Sequence, residues 1–256
     1  MARLSARDVA MVAVFAALYV ALSLLPGLPT PGDPTGQIKI EIEASLAPLY
    51  GIVLGPYLGA LAAFLGTLIA WMLPPSAGSI FGVPALFCPA IDALAVGLML
   101  KGRWKAVLVL LAALIGLYWL SPICLPTATY WYVGLAGSFD KLIALALVVP
   151  TALGLKKIGA SGYDLEPGAH GASARTGLLY ALSFIGNEAD SALGCMAYAF
   201  FLVALGMPVE AVRFYYVCAP VIYFLVRVIQ ALIATAVGVP LLRALKKAGV
   251  DVLLAV

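Results

Sequence analysis

The sequence predicts an all-α fold, a polytopic integral membrane helical bundle of about eight transmembrane helices with both termini cytoplasmic. Three observations predict it. Of 256 residues, 64% are hydrophobic and 11% charged, against roughly 45–50% and about 25% in a soluble domain, so a water-soluble globule is excluded. Apolar stretches near the ~20 residues that cross a bilayer recur along the chain. Basic residues crowd the connections that an even number of crossings places on one face.

Pro, Gly and charge clusters divide the chain into apolar stretches at about 8–25, 41–54, 57–73, 81–100, 106–121, 136–155, 176–206 and 211–242. Arg3 and Arg7 before the first could mimic a secretory signal, but the run is long and ends in prolines, so it reads as a retained span. The connection from Pro26 to Ile40 holds Pro26, Pro29, Pro31, Pro34, Gly27, Gly32 and Gly36 and cannot be helical; it either covers something or is a stiff spacer. Only Gly55 and Pro56 separate the second and third stretches. Proline disfavours helix at the residue before it, so a tight turn is the simplest reading, with one helix of 33 residues as the alternative. Ile158 to Ser173 is Gly-rich and polar, a mobile cytoplasmic link. The last two stretches exceed the hydrocarbon thickness, which implies tilt, kinking or projecting ends, with Pro220 the kink position in the eighth. The expected organisation is a single transmembrane domain, 1–256, with spans one to six in 1–157, the link at 158–175 and the last two spans in 176–256. The halves show no repeat, so an inverted-repeat carrier is not supported.

With eight crossings, Arg3, Arg7, Lys101, Arg103, Lys105, Lys156, Lys157, Arg175, Arg243, Lys246 and Lys247 share the cytoplasmic side, eleven of fifteen. Lys39 and Arg213 fall opposite, and Lys141 and Arg227 lie within spans. Six spans plus two surface helices would fit the same bias. A net charge of +3 is too small and dispersed for nucleic acid. Cys88, Cys124, Cys195 and Cys218 stand singly, which argues against zinc or a redox dithiol. The one histidine, His170, lies in the link, which excludes HExxH and Ser-His-Asp chemistry in the bilayer. No metal and no cofactor is expected.

Ionisable groups inside a span cost about 2.5–3.5 kcal/mol each on insertion scales, so they face protein or water and usually have a task. The seventh stretch contains Asn187, Glu188 and Asp190, the eighth Arg227 and Gln230, the fourth Asp92, and the sixth Asp140 and Lys141 nearer its outer end. At about 100° per residue, Asn187, Asp190, Ser191, Gly194 and Tyr198 form one stripe, and Glu188 points elsewhere. Tyr216, Tyr223, Arg227, Gln230 and Ala234 form a second. Asp190 or Glu188 is therefore the partner of Arg227 at similar depth. Such a pair either fixes helix register alone or lines a polar pocket where an anionic or hydrogen-bonding solute meets Arg227, Gln230 and Asn187. Acids outnumber the arginine, which favours a cationic or proton-bearing ligand or a neutral acid. Asp92 either closes the pocket or pairs with a helix end. Tyr118, Trp119, Tyr130, Trp131 and Tyr132 read as an interfacial belt or as rings for a ligand at the outer mouth, and Glu41 and Glu43 as interfacial charges.

Ala13, Ala17 and Ala21 recur at intervals of four in the first span, with Ala6 and Ala10 on a neighbouring line; Gly55, Gly59, Ala62, Gly66 and Ala70 repeat the pattern in the third. Small residues let helices approach closely in lipid, within this chain or against a partner protein.

The order of AMVAVFAALYVALSLLP, a proline-rich outward loop, EIEASLAPLYGIVLGPYLGALAAFLGTLIAWML as two spans joined at GP, and VIQALIATAVGVPLLRALKKAG resembles the substrate-capture (S) components of energy-coupling-factor micronutrient transporters. The resemblance covers spans one to four and the last two. It implies a six-helix core, here with two additional spans at about 106–155. It also implies solute binding beneath the loop after the first helix, and docking of a transmembrane coupling protein and ATPase subunits on Ala13, Ala17 and Ala21. The chain has no GxxxxGK[ST] loop, so ATP would be hydrolysed elsewhere. The function implied is that of a plasma-membrane substrate-binding subunit for uptake of a small micronutrient, a vitamin or related solute, and not an enzyme. Its partners are a small-molecule solute, membrane lipid and those subunits. Two alternatives remain. One is an independent proton-coupled carrier using Asp190 or Glu188. The other is an intramembrane enzyme using Asp92, Asp140, Asp190 or Glu188, although no GxGD occurs.

Overall fold

The computed structural model describes residues 5–25, 27–29, 39–40, 42–74, 78, 80–158, 172–218 and 220–249. His170, nearly all of the Gly-rich link, Glu41 and most of the proline-rich connection lie outside the described residues. The described part is a helical bundle: α1 (Ala6–Ser23), α2 (Ile42–Ser45), α3 (Ala47–Met72), α4 (Cys88–Leu100) after a 3-10 helix at Ile80–Phe87, α5 (Trp104–Trp119), α6 (Thr127–Ile158), α7 (Ala172–Ala204), α8 (Val209–Cys218) and α9 (Pro220–Lys247). Between α1 and α2, Leu28–Pro29 (β1) pairs antiparallel with Lys39–Ile40 (β2).

Ser5 starts α1 with a capping box: the Asp8 amide donates to Ser5 Oγ at 3.1 Å and the Ser5 amide to Asp8 Oδ2 at 2.9 Å, satisfying two amides that a helix start leaves open. α1 buries Val12, Phe15, Ala16 and Tyr19, and Phe15 meets Tyr50 of α3 edge-on at 4.9 Å. Ala13, Ala17 and Ala21 lie on its opposite, exposed face.

α3 is two limbs, 47–54 and 56–72, joined at Gly55, whose φ of 78° and ψ of 178° are not helical. A Cβ on Gly59 would stand 2.6 Å from the Tyr50 carbonyl oxygen, which is possible only if the second limb folds back along the first. The turn at Gly55–Pro56 is therefore real, and the single 33-residue helix is not formed. The first limb rises only ~12 Å, well short of the ~30 Å hydrocarbon layer, so this second stretch is a short limb packed inside the bundle. Gly97 of α4 seats the turn, because a Cβ there would lie 2.5 Å from Pro56 Cα.

Further close approaches fix the register of neighbouring helices. Gly154 of α6 lies against Leu178 of α7, Gly186 against Asp92 and Val96, Gly194 against Cys88, and Gly238 of α9 against Leu49 and Leu179. The pairings run in opposite chain directions, so α4, α6 and α9 are each antiparallel to α7. α7 is the central element, touching α4, α5, α6 and α9, and Leu179, Leu182 and Ile185 on it are fully buried. Where lipid tails are as apolar as leucine, such close packing replaces the hydrophobic drive that holds soluble bundles together.

Among the described residues, five helices are both long and apolar enough to cross a membrane: Ala6–Ser23, Ala47–Met72, Gly82–Leu100, Thr127–Ile158 and Pro220–Lys247. α5 is shorter, at 16 residues, and α7 has 33 residues but carries Glu188 and Asp190 midway. In the eighth stretch the described helices are α8, which ends at Cys218, and α9, which begins at Pro220, with the residue between them outside the described residues.

Candidate polar binding site inside the bundle

The six candidate binding residues come from three helices, and the fold brings them toward one another. Asp190 lies ~27 Å along α7 from its start and Arg227 ~30 Å along α9 from its end, so antiparallel packing puts them level. Arg227 Nη2 donates to Asp190 Oδ1 at 3.2 Å, and Nη1 donates to Gln230 Oε1 at 2.8 Å one turn further on. The partner of Arg227 is thus Asp190. Asn187, on the same stripe of α7, donates from Nδ2 to the Ser183 carbonyl at 2.8 Å. Asp92 of α4 is fully buried against Gly186 and feels the charges of Asp190 and Arg227.

Glu188 faces a different neighbour, as its angle on the helix predicts. Its Oε2 lies 3.9 Å from Lys141 Nζ on α6, and Lys141 also holds Asp140 Oδ2 at 2.8 Å. Sequence reasoning left Asp140 and Lys141 out of the site by placing them near the outer end of a span beginning at 136. α6 instead begins at Thr127, with non-helical backbone at Tyr130, and the pair lies buried ~14 Å along the limb that follows. The signal was present, since adjacent opposite charges in an apolar run have to be buried together.

Several atoms of this cluster have no hydrogen-bond partner among the described residues: both oxygens of Asp92 and of Glu188, Asn187 Oδ1, Ser183 Oγ and Arg227 Nε. No group of three or more His, Cys, Asp or Glu among the described residues is placed to hold a metal ion.

Toward the end of the bundle away from Lys101 and Arg103, the aromatic residues divide. Tyr118 is buried, stacks on Tyr216 at 5.5 Å and donates to the Val133 carbonyl at 2.9 Å. Tyr216, placed by sequence on one stripe with Arg227, lies in α8 and donates to the Cys195 carbonyl at 2.6 Å. Trp131 and Tyr132 are exposed. Arg213 of α8 clasps the connection between α5 and α6, donating to the carbonyls of Ile123 at 2.8 Å and Leu125 at 2.9 Å while lying 3.3 Å from the centre of the Tyr130 ring.

Residues 3–152, more than half of the chain, match the family described as ECF-type riboflavin transporter, S component. The chain belongs to that family. That family is one of transporter S components, and the long apolar helices among the described residues accord with a membrane protein. The matched segment contains Asp92, Asp140, Lys141 and the alanine face of α1, while Asn187, Glu188, Asp190, Arg227 and Gln230 lie beyond it. The match also runs through 106–152, outside the stretches that carry the resemblance, and ends before the last two stretches. An uncharacterized protein of Methanocaldococcus jannaschii is 33% identical over 85 residues, 33% of this chain and 28% of that protein. The matched region thus spans little more than a quarter of that relative's length. No solved structure matches the chain.

Proposed function

We propose that this S component captures a small micronutrient in the polar cluster between α4, α6, α7 and α9, and that separate transmembrane coupling and ATPase subunits energise its uptake. The observation that carries the reading is the cluster itself. Six ionisable side chains, Asp92, Asp140, Lys141, Glu188, Asp190 and Arg227, are sunk in an apolar bundle, and their own contacts leave polar atoms unpaired. A network built only to fix helix register would pair its members, since each unpaired buried polar group costs about 1–3 kcal/mol. A binding site keeps groups for its ligand.

The coupling surface is the alanine face of α1. The small residues of α3 are spent inside the chain, with Gly59 on Tyr50 and Gly66 on Tyr19. Ala13, Ala17 and Ala21 are exposed and leave a smooth strip along which another helix can approach. Both chain ends and the basic connections lie on the cytoplasmic side of the plasma membrane in this reading, following the lysine and arginine bias.

The test is co-expression with coupling and ATPase subunits from the same genome. The wild-type chain is expected to purify with them and to retain a small molecule detectable by mass spectrometry. Ala17→Trp is expected to lose the subunits while keeping the solute; loss of both together would remove the docking face from the proposal. Uptake by the chain alone in liposomes, driven only by a pH gradient, would replace this reading with that of a secondary carrier.

A further inference from the structure

We infer that the captured solute is a cation bearing N–H donors, an ammonium or amidinium-type group, and that Asp92 receives it; the inference rests on the substrate-capture reading above. The first observation is the charge inventory. Asp92, Asp140, Glu188 and Asp190 stand against Lys141 and Arg227 in the buried cluster. Lys141 is engaged by Asp140 at 2.8 Å and Arg227 by Asp190 at 3.2 Å. One carboxyl is left over beside each cation: Asp92 by the Asp190–Arg227 pair, and Glu188 at 3.9 Å from a lysine already held.

The second observation is independent of charge and concerns hydrogen-bond polarity. Asp92 Oδ1 and Oδ2, Glu188 Oε1 and Oε2, and Asn187 Oδ1 are five buried acceptor atoms without a donor among the described residues, whereas the orphaned obligate donor is Arg227 Nε alone. Protonation does not remove the mismatch at Asp92. A neutral carboxyl there would gain one O–H donor, and its other oxygen would still have no donor among the described residues. An incoming group that supplies both positive charge and donors satisfies Asp92 in one step. A neutral solute with balanced donors and acceptors, such as a flavin ring, leaves the charge unanswered. An anion would find Arg227 Nε as its one orphaned obligate donor and would face the charges of both Asp190 and Asp92.

Asn187 lies on the same stripe of α7 as Asp190, with its Nδ2 fixed by the Ser183 carbonyl. The amide oxygen has no partner among the described residues and can receive a second N–H of the solute. Glu188, across α7, contributes its field without contact.

Full-length protein in lipid nanodiscs is tested by calorimetry with thiamine as the cationic probe, riboflavin as the neutral probe and pantothenate as the anionic probe, and any co-purified solute is identified by mass spectrometry. The wild type is expected to hold a cationic solute, and Asp92→Asn, which keeps the shape and removes the charge, to weaken it at least tenfold, about 1.4 kcal/mol. Glu188→Gln, which leaves Asp92 intact, is expected to weaken it about threefold and keeps the test open should Asp92→Asn not fold. Riboflavin or pantothenate held equally by wild type and both variants would overturn the cationic assignment and leave the capture reading standing. Binding of either accompanied by uptake of one proton that Asp92→Asn abolishes would make Asp92 a proton site and also overturn it. Retention of no solute by the wild type, with no ATPase subunit co-purified, would overturn both.

Discussion

Arg227 shows how one side chain can be read from sequence only to a certain depth. Its position predicted an acidic partner at the same height on α7, and both Glu188 and Asp190 qualified. The choice depended on which side of α7 faces α9, a packing fact that sequence periodicity does not hold. The structure gives Asp190 at 3.2 Å. Arg227→Ala would leave Asp190 buried without a cation, a change that costs about 3–5 kcal/mol when a buried pair loses one member. Replacing both, with Arg227→Met and Asp190→Leu, removes the stranded charge, so the double variant is expected to melt close to the wild type in detergent while binding no solute. Equal melting losses in single and double variants would mean that the pair serves the fold alone. Gly186→Ala probes the same place from the backbone. The added methyl would meet Val96 Cγ2 at 2.6 Å and the Asp92 carboxylate, so α4 and α7 have to part. A loss of about 1–3 kcal/mol is expected, with solute binding falling alongside.

Among elements, the hairpin of α3 was the most legible, because Gly55–Pro56 carries two backbone rules at once. Proline refuses helix to the residue before it, and glycine accepts the φ of 78° that the turn adopts. What the sequence did not disclose is that the first limb stops at eight residues, since its apolar character continues into the irregular and short-helical chain before it. Gly55→Ala is expected to destabilise the protein by about 1 kcal/mol or more through the positive φ. Gly116→Ala in α5, where a Cβ meets nothing within 4 Å, serves as a control and is expected to be neutral or stabilising. Thermal unfolding of the two variants side by side separates backbone strain from crowding. α6 was misjudged for the opposite reason. Its apolar pattern fades between Thr127 and Ser138, so the span was begun too late, and Lys141 was assigned to the rim instead of the interior.

At the scale of the whole molecule, composition and the basic bias predict a multi-pass bundle, and a helical bundle forms in which five helices among the described residues meet the length and apolarity of a crossing. The exact count was not legible because charged α7 and short α5 fall on either side of the usual pattern. The family match ends at residue 152, yet the polar cluster takes Asp92, Asp140 and Lys141 from inside that segment and Asn187, Glu188, Asp190, Arg227 and Gln230 from beyond it. The two parts are therefore one unit energetically. Without α7, the face of α4 at Asp92 and Val96 would lose Gly186, and Lys141 would lose Glu188. A chain ending at residue 158 is expected to aggregate or fail to accumulate, and co-expression of residues 159–256 as a separate polypeptide is expected to restore a monodisperse complex that binds solute, by supplying α7 to the same groove. Gel filtration of the two preparations reads the result. A stable, solute-binding 1–158 fragment would show that capture needs only the family segment and that the residues of α7 and α9 take no part in it.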